Sequence, residues 1–264
     1  MTDPFVLGGA LVGYSGFVGS NLAAAREFSG LYNSSNVDEM AGRHFDTVVF
    51  SAARAEKWRI NQDPESDLVH IAELERILSS FRTERLVLIS TVDVYAHPDG
   101  VDEDTEIELE GLHPYGAHRY RLEQFAREQH GQVHVVRLPG LFGPGIKKNV
   151  VFDLLHDNNV DRINPDVEIQ YYDLARLADD IETVVRAELG LVNMATPPLR
   201  SSELARELFG VELAPTGQGP VRYDMHTRHA DAFGGSAPYV FSDEEVWRRL
   251  RSFVAAERAA EVGS

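Results

Sequence analysis

Hydrophobic positions follow two periods along this chain. Unbroken apolar runs at Ala10-Leu11-Val12, Thr47-Val48-Val49-Phe50-Ser51, Leu86-Val87-Leu88-Ile89-Ser90 and Val133-His134-Val135-Val136-Arg137-Leu138 have the length and β-branched content of strands covered on both faces. Leu31-Tyr32-Asn33 and Leu191-Val192-Asn193-Met194 predict two shorter strands. Between the runs, apolar residues recur at helical spacing. Pro64 opens a helix to about Phe81 with Leu68, Ile71, Leu74 and Leu78 on one face. Asn21 to Phe28, Tyr115 to His130 and Leu174 to Glu188 predict three more helices. Repeated strand–helix units predict an α/β, doubly wound parallel sheet with helices on both faces. Beyond Ala195 the pattern changes. A short helix from Ser201 ends near Gly210, residues 214–240 are rich in Gly and Pro, and Ser242 with Glu245 caps a last helix carrying Val246, Leu250 and Phe253. Residues 1–140, rejoined by 174–196, are expected to form one domain, and 141–173 with 197–264 a small C-terminal lobe.

Three glycines break the first strand–helix junction at a spacing of three, in Gly13-Tyr14-Ser15-Gly16-Phe17-Val18-Gly19. Gly13 suits a sharp turn off the strand, Gly16 lets a pyrophosphate approach the backbone, and Gly19 lets the helix lie close on the sheet. The helix N-terminus offers free N–H groups to a phosphate. Gly13, Ser15, Gly16, Phe17, Val18 and Gly19 are therefore candidate dinucleotide-binding residues. The second strand ends in Asn33-Ser34-Ser35-Asn36, all neutral, where an acid would bind the ribose hydroxyls of NAD. This favours NADP, and nearby Asp38 leaves NAD open.

The charge balance narrows the partners. The chain has 264 residues, 25 basic and 42 acidic, for a net charge of −17. That argues against nucleic acid and anionic lipid as partners. Cysteine is absent, so disulfide and thiolate chemistry are excluded. No apolar stretch is long enough to span a membrane, and the first residues do not read as a signal peptide. A cytoplasmic protein is expected, with no metal site.

Two stretches at strand ends carry candidate chemistry: Ser90-Thr91-Val92-Asp93-Val94-Tyr95 and Pro114-Tyr115-Gly116-Ala117-His118-Arg119. Tyr115 and Arg119, four apart, share a helix face, and a cation beside a phenol favours phenolate. With the Thr91 hydroxyl they suit proton transfer while a nicotinamide exchanges hydride. Lys57, after Ser51-Ala52-Ala53, is a further candidate cation.

These motifs, in this order, resemble the extended short-chain dehydrogenase/reductases, the NAD-dependent epimerase/dehydratase family. The resemblance runs through the glycine turn, Asp46 to Ala53, Thr91 four before Tyr95, Pro114-Tyr115-Gly116, and Arg137-Leu138-Pro139-Gly140-Leu141-Phe142-Gly143-Pro144-Gly145. It implies a Rossmann-type sheet with a small substrate lobe, catalytic Tyr115 and Thr91, and cofactor contacts at Asn33, Ser34, Ser35, Ser51, Ala52, Ala53, Tyr115, Arg119 and Leu138. It also implies substrate contacts at Lys57, Asp93, Lys148 and Asn149, a nucleotide-sugar substrate, and a homodimer. The implied activity is NAD(P)-dependent keto reduction, or epimerisation through a keto intermediate. The alternatives are a regulator that binds the dinucleotide without turnover, and a reductase of a non-nucleotide carbonyl compound. One departure bears on mechanism: Arg119 stands where the family has lysine, and a guanidinium does not give up a proton. A second is the single acid, Asp93, after Thr91, where the dehydratases have two.

Overall fold

The computed structural model describes residues 9–262, and the expectation about a signal peptide concerns residues outside that range. In chain order the strands are β1 (Ala10–Val12), β2 (Gly30–Tyr32), β3 (His44–Phe50), β4 (Arg82–Thr91), β5 (Val133–Leu138), β6 (Gly140–Phe142), β7 (Val167–Asp173), β8 (Leu191–Asn193), β9 (Pro198–Arg200) and β10 (Val221–Arg222). The helices are α1 (Phe17–Ala25), α2 (Lys57–Gln62), α3 (Pro64–Ser80), α4 (Pro114–Gln129), α5 (Val150–Leu155), α6 (Leu177–Arg186), α7 (Ser201–Phe209) and α8 (Asp243–Val262). The chain divides into two compact units, one of residues 1–97, 103–138 and 175–193, the other of 98–102, 139–174 and 194–264.

The first unit holds a six-stranded sheet in the order β2-β1-β3-β4-β5-β8, parallel throughout. The buried runs make its core: Val12, Val48, Phe50, Leu86, Leu88 and Val135 meet Ile71, Leu74 and Leu78 of α3 and Leu122 and Ala126 of α4. The chain leaves β1 toward β2 on one side and reaches β3 on the other. The crevice at that reversal, at the carboxyl ends of β1 and β3, is where open α/β sheets bind ligands. Element ends shift by up to three residues from the sequence reading: α1 stops at Ala25 rather than Phe28, and α6 starts at Leu177 rather than Leu174. The second strand stops at Tyr32 because Asn33 Oδ1 accepts from the Ser35 amide at 2.9 Å and turns the chain. Leu68 of α3 is 38% exposed. It stands about 60° round the helix from Ile71, on the side away from Ile77, and so misses the buried arc.

In the second unit β7 is central, parallel to β6 and β10 and antiparallel to β9. The sequence reading places no strands here. Tyr172 stacks on Phe241, with ring centroids 5.7 Å apart, and α8 buries Val246 and Leu250. Ser242 Oγ accepts from the Glu245 amide at 3.2 Å, so the serine cap read from the sequence forms. Among the described residues no helix is long and apolar enough to cross a membrane.

Candidate active site

The glycine turn is fixed by backbone contacts. The Gly13 amide donates to the Tyr32 carbonyl at 2.7 Å, and the Ser51 amide to the Val12 carbonyl at 2.9 Å. Gly13 has φ +88°, and a Cβ there would lie 2.7 Å from Ser51 backbone atoms. A Cβ on Gly19 would lie 2.1 Å from the Gly13 carbonyl oxygen. Gly16 differs: a Cβ there would lie 3.3 Å from the Gly13 carbonyl oxygen, a tight contact that needs only a small shift. Gly16 caps α1 with no side-chain hydrogen bond, and the first turn carries no acid. The unpaired amides of that turn and the open side of Gly16 form a cradle that suits a phosphate.

The second cluster gathers at the ends of β4 and α4. Thr91 ends β4, and its Oγ1 accepts from the Asp93 amide at 3.1 Å, winding residues 92–94 into a 3₁₀ turn. Tyr95 pins the far end of this turn, because its hydroxyl accepts from Arg137 Nη1 at 2.8 Å and Asn193 Nδ2 at 3.0 Å. Arg137 is buried and pairs with buried Glu123 at 2.6 Å. Helix α4 packs directly on the turn: a Cβ on Gly116 would lie 2.2 Å from the Asp93 carbonyl oxygen. His113 caps α4, its Nδ1 accepting from the Gly116 amide at 3.0 Å, and Asn61 Oδ1 accepts from the Tyr115 amide at 3.1 Å. Tyr115 is thereby brought near Thr91, whose hydroxyl favours the ionised phenol. Burial pushes the Tyr115 phenol above its ordinary value, and Arg119, the Thr91 hydroxyl and Lys57 partly offset this while Asp93 adds to it.

Arg119 lies over the Tyr115 ring, 4.7 Å from its centroid. Its Nη1 donates to Asp67 Oδ2 at 3.1 Å, and its Nη2 to Asp67 Oδ1 at 3.3 Å and to the Arg54 carbonyl at 2.6 Å. His118 Nδ1 donates to Asp67 Oδ2 at 2.8 Å. Burial would raise the Asp67 carboxyl, but Arg119 and His118 outweigh it and hold it below the usual carboxylate range. Arg119 Nε is buried without a hydrogen-bond partner among the described residues. Lys57, the first residue of α2, reaches Asp93 from the other side, Nζ to Oδ1 at 2.6 Å.

Thr91, Asp93, Tyr115, Arg119 and Lys57 thus converge. Leu138 ends β5, beside Thr91 in the sheet register. Asn33 spends its side chain on Ser35, and Asp38 is held by Arg76 at 2.7 Å. Lys148 and Asn149 belong to the second unit, where Asn149 Oδ1 caps α5 through the Phe152 amide at 3.1 Å. The sequence reading missed Asp67, Asn61, Arg54 and His113. Asp67 lies 52 positions from Arg119, and no local pattern marks such a pair. At the amino ends of β3 and β4, the exposed side chains of His44, Asp46 and Glu84 bring ligand atoms within 4.8 Å of one another.

The parallel order reversing at β1, with a glycine turn at the reversal, defines a Rossmann-type fold. The chain belongs to the NAD dependent epimerase/dehydratase family, whose sequence profile matches residues 26–161. A stretch of 118 residues is 25% identical to the UDP-glucose 4-epimerase of Pisum sativum; it spans 42% of this chain and only 34% of that protein's length. Among solved structures, MoeE5 in complex with UDP-glucuronic acid and NAD superposes with a TM-score of 0.71 at 17% identity, over 96% of this chain and 99% of that one. The dTDP-4-dehydrorhamnose reductase of Bacillus anthracis str. Ames, in complex with NADP, gives 0.71 at 19% identity, over 94% and 97%. The UDP-N-acetylglucosamine 4-epimerase of Methanobrevibacter ruminantium M1 gives 0.71 at 13% identity, over 98% and 100%. At these identities the structural likeness is one of fold.

Proposed function

We propose that this protein is a nicotinamide-dinucleotide-dependent oxidoreductase acting on a nucleotide-linked sugar, by keto reduction or by epimerisation through a keto intermediate. The observation that carries the reading is the buried Tyr115 phenol, near the Thr91 hydroxyl and stacked on Arg119. The cradle at Gly16 and the first turn of α1 supports a bound pyrophosphate. When bound, the nicotinamide supplies or accepts the hydride. Tyr115 Oη then gives a proton to, or takes one from, the substrate oxygen, and Thr91 Oγ1 orients that oxygen by a second hydrogen bond. Arg119 holds positive charge beside the phenol ring, and its Nε–H, without a partner among the described residues, is assigned as a donor to the cofactor's ribose. We assign the 33–36 turn to NADP, because it is neutral and because Arg76 already occupies Asp38. The second unit is assigned as the substrate lobe, with Lys148 a cation for the substrate's phosphates.

The test is hydride transfer with NADP or NAD and a panel of UDP- and dTDP-linked sugars. Tyr115→Phe is expected to lower turnover by about two to four orders of magnitude with cofactor affinity little changed. Unaltered turnover in that variant refutes the mechanism. Dinucleotide binding without hydride transfer on any panel member points instead to a regulator.

A further inference from the structure

A buried acid that delivers a proton in each cycle must be recharged. Arg119, the cation nearest the Tyr115 ring, cannot do this. A guanidinium does not release a proton at physiological pH, and both its terminal nitrogens are committed to Asp67 and the Arg54 carbonyl. Another set of groups runs from the phenol toward solvent. The Tyr115 phenol stands near the Thr91 hydroxyl, which favours its ionised form. Thr91 Oγ1 donates to Asp93 Oδ2 at 3.5 Å, and Lys57 Nζ donates to Asp93 Oδ1 at 2.6 Å. Exposure grows along the path: Tyr115 is 7% exposed, the Asp93 side chain 18% and the Lys57 side chain 33%. The 3₁₀ turn pinned by Tyr95, and the tight approach of Gly116, hold Thr91 and Asp93 in place.

We infer that Lys57 is the proton reservoir for Tyr115, acting through Asp93 and Thr91. The inference rests on the proposed role of Tyr115 as the acid. In the reducing direction the reduced nicotinamide supplies a hydride to the carbonyl carbon. The carbonyl oxygen takes the Tyr115 proton, leaving phenolate. Thr91 passes its hydroxyl proton to the phenolate. Asp93 takes a proton from the Lys57 ammonium at Oδ1 and, once its carboxyl has turned, returns one to Thr91 Oγ1. Lys57, left as a neutral amine, is reprotonated by water. The overall step consumes one hydride and one solvent proton, and it runs in reverse for oxidation. Ammonium and phenol release protons in water at about 10.4 and about 10, so exchange between such groups is nearly balanced. The ionisable groups facing the path are Arg119 beside Tyr115, and His113, whose Nε2 lies 4.0 Å from Asp93 Oδ1. His113 Nδ1 already accepts from the Gly116 amide, so in the neutral ring Nε2 carries the proton and is no acceptor.

The experiment measures steady-state reduction of a UDP-linked 4-keto hexose by NADPH or NADH, as a function of pH, in wild type, Lys57→Met, Lys57→Arg, Lys57→Ala and Tyr115→Phe. Lys57→Arg keeps the ion pair with Asp93 but cannot surrender a proton, so it separates a relay from a structural role. Lys57→Arg is expected to be about ten- to a hundredfold slow, as slow as Lys57→Met, a smaller loss than that of the direct acid because water still reaches the site. Both variants are expected to lose the alkaline limb of the pH profile, and methylamine to restore Lys57→Ala severalfold. Lys57→Arg at wild-type speed, with the wild-type pH profile, overturns the relay, as does methylamine without effect on a slow Lys57→Ala. Tyr115→Phe at wild-type speed overturns the underlying reading of Tyr115 instead, whatever the Lys57 variants do.

Discussion

Arg119→Lys asks whether the site is built around a guanidinium. Arg119 and Asp67 have side chains only 3% and 2% exposed, so water screens neither charge. The fork spans two carboxylate oxygens and the Arg54 carbonyl at 3.1, 3.3 and 2.6 Å. An ammonium is a point donor on a different stem and cannot reproduce that planar span. Losing one charge-assisted hydrogen bond costs about 1.5–3 kcal/mol. Losing the stack on Tyr115 adds about 0.5–1 kcal/mol. A loss of about 3 kcal/mol lowers the Tm of a chain this size by roughly 6–12 °C. Thermal unfolding followed by circular dichroism reads this directly. A double-mutant cycle sharpens it. Arg119→Met and Asp67→Leu each strand a buried charge, at about 3–5 kcal/mol apiece. The double variant is expected to cost clearly less than the sum, since neither charge then remains. An unchanged Tm in Arg119→Lys, or strict additivity in the cycle, refutes the argument that a mutually dependent buried pair holds this part of the site.

Gly16→Val is expected to fold, because the added Cβ meets only the Gly13 carbonyl at 3.3 Å, and to abolish dinucleotide binding by filling the cradle; calorimetry showing wild-type affinity would remove the turn from the site. Burial holds the His130 imidazole below its usual range while its Nε2 donates to the Leu78 carbonyl at 3.0 Å. The unfolded chain therefore binds a proton there before the folded one does, and stability falls as pH drops below about 6.5. His130→Gln should flatten that slope in thermal melts between neutral and mildly acidic pH; an identical slope means that other groups set it. The family resemblance implies that α3 and α4 pair between two copies, and Val69 on α3 is 73% exposed. Light scattering is expected to give a dimer and Val69→Lys a monomer; a wild-type monomer at micromolar concentration contradicts the pairing.

Much of the first unit was legible in the sequence because its signals are local. A strand covered on both faces must be apolar at successive positions, so β3, β4 and β5 declare themselves in single runs. A glycine that must turn or admit a backbone cannot be replaced cheaply, so Gly13, Gly19 and Gly116 mark the turn and the seat of α4. Thr91 and Tyr115 were legible for the same reason, each standing next to a boundary the sequence marks. The strands of the second unit were not, because β6, β9 and β10 have only two or three residues each and take their form from pairing with β7. The electrostatic state of the site was also hidden. From the sequence, Arg119 is a cation one helical turn beyond Tyr115, free to face any anion. The tertiary structure brings Asp67 from α3 to neutralise it and carries Lys57 from α2 to Asp93 instead. Helical spacing determines which side chains share a face, whereas the partner of a buried charge is chosen by packing between elements remote in sequence, where low dielectric makes an unpaired charge costly.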